Sequence, residues 1–222
     1  MLRSPLFWIL AIPATLAAAL LGYARLHKDD RPREEGFAIL VDAESHKVTE
    51  AMQAAADEAA GAPAPAFRSL DGDRDEHDLG AADYQGKPVV LIFIKDGCPC
   101  SLAMQPFFNQ LARSYGDKIR FLGVIDGEPE LAKFWGNARA VPYPILADPD
   151  MDIIRDYGVS NSAYLALIDP EHRLEMLWPG VSKAMLGEVN RRLAQVAGRA
   201  PGAIDTADAP SELYSGCPYN LD

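Results

Sequence analysis

The chain has 222 residues, of which 49% are hydrophobic and 24% charged, and a formal net charge of −11. That balance describes a folding domain with appendages. It excludes nucleic-acid binding, which needs a basic stripe to neutralise phosphates, and broad contact with anionic lipid. Three cysteines are too few for a disulfide scaffold and lack zinc-ligand spacing, so they point to redox chemistry.

Residues 1–28 read as a signal-anchor helix. Arg3 precedes an uncharged, mostly apolar run over residues 4–24, about the 20 residues needed to cross a bilayer. Gly22-Tyr23-Ala24 offers a small-x-small cleavage site, so the body is expected outside the cytoplasm either as a membrane-anchored protein or, after cleavage, as a secreted one. Residues 29–66 read as a spacer. A solvated charged stretch comes first, followed by an Ala- and Glu-rich helix over 43–60. Its thin apolar face is Val48, Ala51, Met52, Ala55 and Ala59, and a stiff Pro/Ala linker over 61–66 ends it. His46 is expected on the surface.

The compact domain is expected over 67–197. A short strand opens it at 67–70, and the polar cluster Asp75, Glu76, His77 and Asp78 reads as a solvated loop. The apolar run Val89-Val90-Leu91-Ile92-Phe93-Ile94 predicts a fully buried strand. Cys98 and Cys100 follow within a turn, and then Leu102, Phe107, Phe108, Leu111 and Tyr115 recur at helical spacing. A cysteine at a helix start meets unpaired N–H groups that favour the thiolate, which is the reactive species. Further strands are expected at 119–125, 141–146 (an edge, given its prolines), 163–168 and 174–178. Helices are expected at 128–135, stopped by Gly136-Asn137, and at 151–157 and 183–196. Strands linked by helices call for parallel pairing, and the last two form an added antiparallel hairpin. Trp135, Tyr143, Tyr164 and Trp178 read as core. The tail, 198–222, reads as flexible. It carries Cys217 in a second Gly-Cys-Pro triplet, at 216–218 after 97–99.

On this pattern the chain resembles the thioredoxin-fold superfamily, in its redoxin branch of membrane-tethered thiol-disulfide proteins and AhpC/TSA (peroxiredoxin-like) domains. The residues that carry the resemblance are Gly86-Lys87-Pro88-Val89-Val90-Leu91, Phe93 with Cys98, Pro106, Pro144-Ile145-Leu146-Ala147-Asp148-Pro149-Asp150, Tyr157-Gly158-Val159 and Leu167-Ile168-Asp169. The resemblance implies a three-layer α/β fold, a central mixed sheet flanked by helices, behind the N-terminal membrane helix. Pro106 lies eight residues after Cys98, as the family's helix proline lies after its nucleophilic cysteine. The position of the usual second cysteine is then Ser101, and Cys100 sits one residue early. The segment matching the family's cis-proline, 159–163, has no proline. The Thr or Ser and the Arg that peroxiredoxins place beside their cysteine are absent in register, where Lys95 (or Gly97) and Ser162 or Ala163 stand.

These observations leave several functions open. In the first, Cys98 attacks protein disulfides and Cys100 resolves, a Cys-Pro-Cys dithiol whose tight ring makes its disulfide easy to reduce. In the second, Cys98 reduces a hydroperoxide and Cys100 or Cys217 resolves the sulfenic acid. Others are a copper-binding module using Cys98, Cys100 and a histidine, and an inactive domain stapled by Cys100–Cys217. The expected partners are protein thiols or disulfides, or a hydroperoxide, together with a redox partner protein and the membrane; no cofactor is expected.

Overall fold

The computed structural model describes residues 46–221. The expected anchor over 1–28 and the charged part of the spacer lie outside them. Among the described residues no helix is long and apolar enough to cross a membrane.

The sheet is built on the apolar run, which forms the strand Val89–Ile94, with every residue at most 2% exposed. In chain order the elements are α1 (Glu50–Ala59), β1 (Arg68–Leu70), β2 (Glu76–Asp78), β3 (Val89–Ile94), α2 (Pro99–Tyr115), β4 (Arg120–Ile125), α3 (Pro129–Ala138), β5 (Ile145–Ala147), α4 (Asp152–Asp156), β6 (Leu165–Ile168), β7 (Leu174–Trp178) and α5 (Lys183–Val196). The five-stranded sheet runs β5-β4-β3-β6-β7. The helix-linked strands β3, β4 and β5 are parallel; β6 and β7 are antiparallel additions.

Because side chains alternate along a strand, β3 feeds two cores. Val90, Ile92 and Ile94 pack with Met104, Phe108 and Leu111 of α2, Trp135 of α3, and Leu186, Val189 and Leu193 of α5. Val89, Leu91 and Phe93 pack with Ile153, Ile154 and Tyr157 around α4, and with Phe67, Leu79 and Tyr84. The result is the thioredoxin-like arrangement of a mixed sheet between helices. Trp135, Tyr143, Tyr164 and Trp178 are all buried in it.

Several boundaries differ from expectation. The first helix starts at Glu50, where Thr49 caps it by accepting from the Met52 N–H. It turns Ala56 inward and leaves Ala51 and Ala55 exposed. The polar cluster at 75–78 is not a loop. Its residues Glu76–Asp78 form β2, paired with β1, and His77 bridges the Asp71 carboxylate (2.9 Å) and the Tyr84 hydroxyl (2.5 Å). Helix α3 runs through Gly136 and ends at Ala138, while the expected strand over 141–146 shrinks to Ile145–Ala147 after its two prolines.

Two segments expected to stand away from the domain lie against it. In the linker, the Gly61 N–H donates to the Leu174 carbonyl, the Leu174 N–H donates to Ala62, and the Ala64 N–H donates to His172. The tail is bound rather than free over its last residues: Tyr214 exchanges hydrogen bonds with Val181, and the Ser215 N–H donates to the His46 carbonyl.

Candidate active site

At the end of β3 the chain must turn sharply to start α2. Gly97 makes that turn in the left-handed region, at φ 69°, where a side chain would be strained. The turn is held at both ends. The Lys95 N–H donates to the Ser101 hydroxyl (3.1 Å), and the Asp96 N–H donates to the Asp126 carboxylate (2.7 Å), which also pairs with Lys95 (3.2 Å). Cys98 is therefore the N-cap residue of α2, with Pro99 at the first helical position, where its missing N–H costs nothing.

The Cys98 sulfur is not bonded to the helix's own N–H groups. It faces across the sheet instead. The Ser162 hydroxyl donates to it at 3.2 Å, and the backbone N–H of Cys217 donates at 3.1 Å. Segment 160–164 is brought there by β3 itself, because the Ala163 N–H donates to the Phe93 carbonyl and the Phe93 N–H donates to Tyr164. Ala163 follows in the left-handed region, at φ 63°.

These donors decide which of the three free thiols carries charge. The Cys100 thiol donating to Cys98 is the largest effect. Despite burial, it acts with the Cys217 thiol, the Ser162 hydroxyl and the Cys217 N–H to lower Cys98 to about 3. The helix start it abuts favours the same charge. Donating to Cys98, together with burial, drives Cys100 far up. Burial and the Cys98 thiolate push Cys217 up to about 12. The three sulfurs titrate as one system that holds a single negative charge, placed on Cys98.

All three cysteines singled out in the sequence thus meet in one cluster. Cys98 and Cys100 are buried and Cys217 is partly exposed. Two residues of the site were not foreseen. Ser162 supplies the hydroxyl that register with the family did not. His46, expected on the surface, is half-buried with its Nε2 3.6 Å from the Cys217 sulfur. The second Gly-Cys-Pro triplet was the available signal for the tail's part in the site. Among the described residues no group of three or more His, Cys, Asp or Glu side chains is placed to hold a metal ion. His172 is turned away, to the Tyr84 carbonyl.

Replacing Ser162 with alanine removes one charge-stabilising donor. The midpoint of thiolate ultraviolet absorbance in an acid titration is expected to rise by about one to two pH units, with absorbance at neutral pH unchanged.

Comparison with known proteins is consistent with this geometry. A curated protein of Mycobacterium tuberculosis, described as a "putative peroxiredoxin", is 27% identical over 100 residues, 44% of this chain and 62% of that protein. The match thus spans less than two thirds of the relative's length. Among solved structures, DsbF of M. tuberculosis is 25% identical with a TM-score of 0.51, over 59% of this chain and 94% of that one. The exposed lipoprotein thioredoxin Etrx1 of Streptococcus pneumoniae is 26% identical with a TM-score of 0.50, over 59% and 99%. The AhpC/TSA family model matches residues 60–177. Because that match takes in the central strand, the turn and the cysteine helix and runs over more than half of the sequence, the chain belongs to the AhpC/TSA family.

Proposed function

We propose that the protein is a thiol-disulfide oxidoreductase of the extracytoplasmic space, held to the membrane by its N-terminal segment. Cys98 is the attacking thiolate and Cys100 the resolving thiol. One observation carries this reading: the single thiolate of the cluster sits at the strand-to-helix turn with a second thiol, Cys100, packed against it from the first turn of the same helix. The Cys98 sulfur attacks a substrate disulfide, forms a mixed disulfide and expels the first substrate thiolate. Cys100 gives up its proton and attacks the Cys98 sulfur. The second substrate thiolate leaves, and a Cys98–Cys100 disulfide remains. Two electrons have passed to the substrate, and an external dithiol restores the pair by the same exchange in reverse. Residues two apart at a helix start lie on the order of 5–6 Å between Cα atoms, within the range a disulfide spans. The uncharged run over 4–24 and the likeness to an exposed lipoprotein support the location.

Ser162 favours a second reading. A hydroxyl beside the thiolate can orient a peroxide oxygen, giving Cys98 sulfenic acid and an alcohol or water, followed by condensation with Cys100 or Cys217 and loss of water. Among the described residues no arginine is bonded at the cluster.

Oxidising the reduced protein with one equivalent of a small disulfide and mapping bonds by mass spectrometry tests the assignment. A Cys98–Cys100 bond is expected in the wild type, diverted to Cys98–Cys217 in Cys100→Ser. A wild type that forms Cys98–Cys217 instead would overturn the Cys-Pro-Cys pair. Rapid hydroperoxide consumption without insulin reduction would move the protein to the second reading.

A further inference from the structure

Cys98, whose sulfur the chemistry requires, is only 3% exposed as a residue. Part of the wall around it is the tail, whose Cys217 packs against it and donates its N–H to the sulfur at 3.1 Å. Residues 216–219 lie antiparallel to 160–162, with Pro218 bridged to Asn161. The Ser162 N–H donates to the Cys217 carbonyl (3.0 Å), the Gly216 N–H donates to the Ser162 carbonyl (2.8 Å), and the Tyr219 N–H donates to the Ser160 carbonyl (2.9 Å). The Asn161 amide adds a bond to the Gly216 carbonyl at 2.9 Å. Upstream, Tyr214 is bridged to both Lys47 and Val181. The tail thus places a cysteine, Cys217, against Cys98.

We propose that residues 214–219 are a tethered pseudo-substrate. They occupy the groove along 160–162 that an extended, cysteine-bearing polypeptide uses, and Cys98 reacts with such a partner only after it displaces them. This rests on Cys98 being the nucleophile and adds a gate to it.

Three features show a strap built to fit closely and yet to leave. Its contacts with 160–162 are mostly backbone hydrogen bonds, which any extended peptide reproduces. The approach is so close that a Cβ on Gly216 would lie 1.9 Å from the Ser162 hydroxyl oxygen and 2.9 Å from its backbone, so glycine alone passes there. Tyr219, buried with Lys95 5.4 Å over its ring, brings in a hydroxyl that finds no hydrogen-bond partner, a penalty for staying docked.

Gly216→Val leaves every cysteine in place, whereas a chain ending at Leu213 loses Cys217 with the strap. In the reduced full-length protein, Gly216→Val is expected to raise the rate of Cys98 alkylation by iodoacetamide about tenfold or more, with a melting temperature near that of the wild type. An excess of the peptide Ser-Gly-Ser-Pro-Tyr, the strap's sequence without its thiol, should slow the variant again. A chain ending at Leu213 should behave as Gly216→Val does and carries the test if the valine variant misfolds. In the wild type, hydrogen exchange at the Gly216, Cys217 and Tyr219 amides should be protected. Equal alkylation rates in the wild type and the truncated chain, or unprotected amides, would overturn the proposal. If both variants open Cys98 but neither protein reduces insulin or peroxide, the strap stands and the oxidoreductase reading falls. If Cys98-dependent insulin reduction is unchanged by both variants, the strap alone falls.

Discussion

Cys98→Ser is expected to lower insulin reduction on the order of a thousandfold or more, because a serine hydroxyl in the same place is neither ionised nor a leaving group. The wild-type pH profile checks the cause. With Cys98 lowered to about 3, its alkylation rate should be flat between about pH 5 and 8, where an ordinary thiol gains about tenfold per unit. Stability should follow the same charge. The folded value lies below the unfolded value near 9.0, so this contribution is complete above the unfolded value and is lost as pH falls towards about 3. Cys217, raised in the fold, acts oppositely above 9.0, where it opposes further gain. Urea unfolding of the reduced protein between pH 5 and 8 should show stability rising with pH in the wild type and a flatter dependence in Cys98→Ser. An equal slope in the two proteins would place the charge elsewhere.

Phe93→Ala is expected to cost about 3–5 kcal/mol of stability, the usual loss when a fully buried aromatic side chain leaves a cavity. Phe93 is 0% exposed on the central strand, its ring 5.8 Å from that of Tyr157. Its N–H and carbonyl also hold segment 163–164 in place. A domain of ordinary stability would lose a third or more of its margin, seen as a lower urea midpoint at unchanged slope. Leu102→Ala, on the exposed side of α2, is the control and should change stability by roughly 0.5 kcal/mol or less. Similar midpoints for the two variants would mean the core is not organised around β3.

What was legible in the sequence follows from where the signal resides. Val89–Ile94, Leu174–Trp178 and Lys183–Val196 were legible to the residue, because apolar runs and helical spacing are written in side chains. Strand β2 was not. Its residues are polar, and it forms through backbone pairing with β1 and the His77 bonds to Asp71 and Tyr84. Helix α3 continued through Gly136 because its buried residues Ala132 and Trp135 hold it, outweighing glycine's modest cost. The meeting of Cys98, Cys100 and the strand-to-helix turn was legible from spacing and from register with Pro106. The docking of Cys217 was signalled only by the repeated Gly-Cys-Pro triplet, since it is held mostly by backbone donors and acceptors of Ser160, Ser162, Gly216 and Tyr219. Ser162 was visible only as a non-proline in a segment where the family has one.

Each border of the five-stranded sheet is met at one end by the chain itself. At the β7 side, residues 61–64 bond to Leu174 and bridge to Arg173; at the β5 side, Asp71 bridges to Leu146 and the Ser69 hydroxyl bonds to the Ala147 carbonyl. An open border is where folded molecules zip together into aggregates. With less of each rim left open, a concentrated solution of this protein should clump edge to edge less readily even though its sheet is almost wholly apolar.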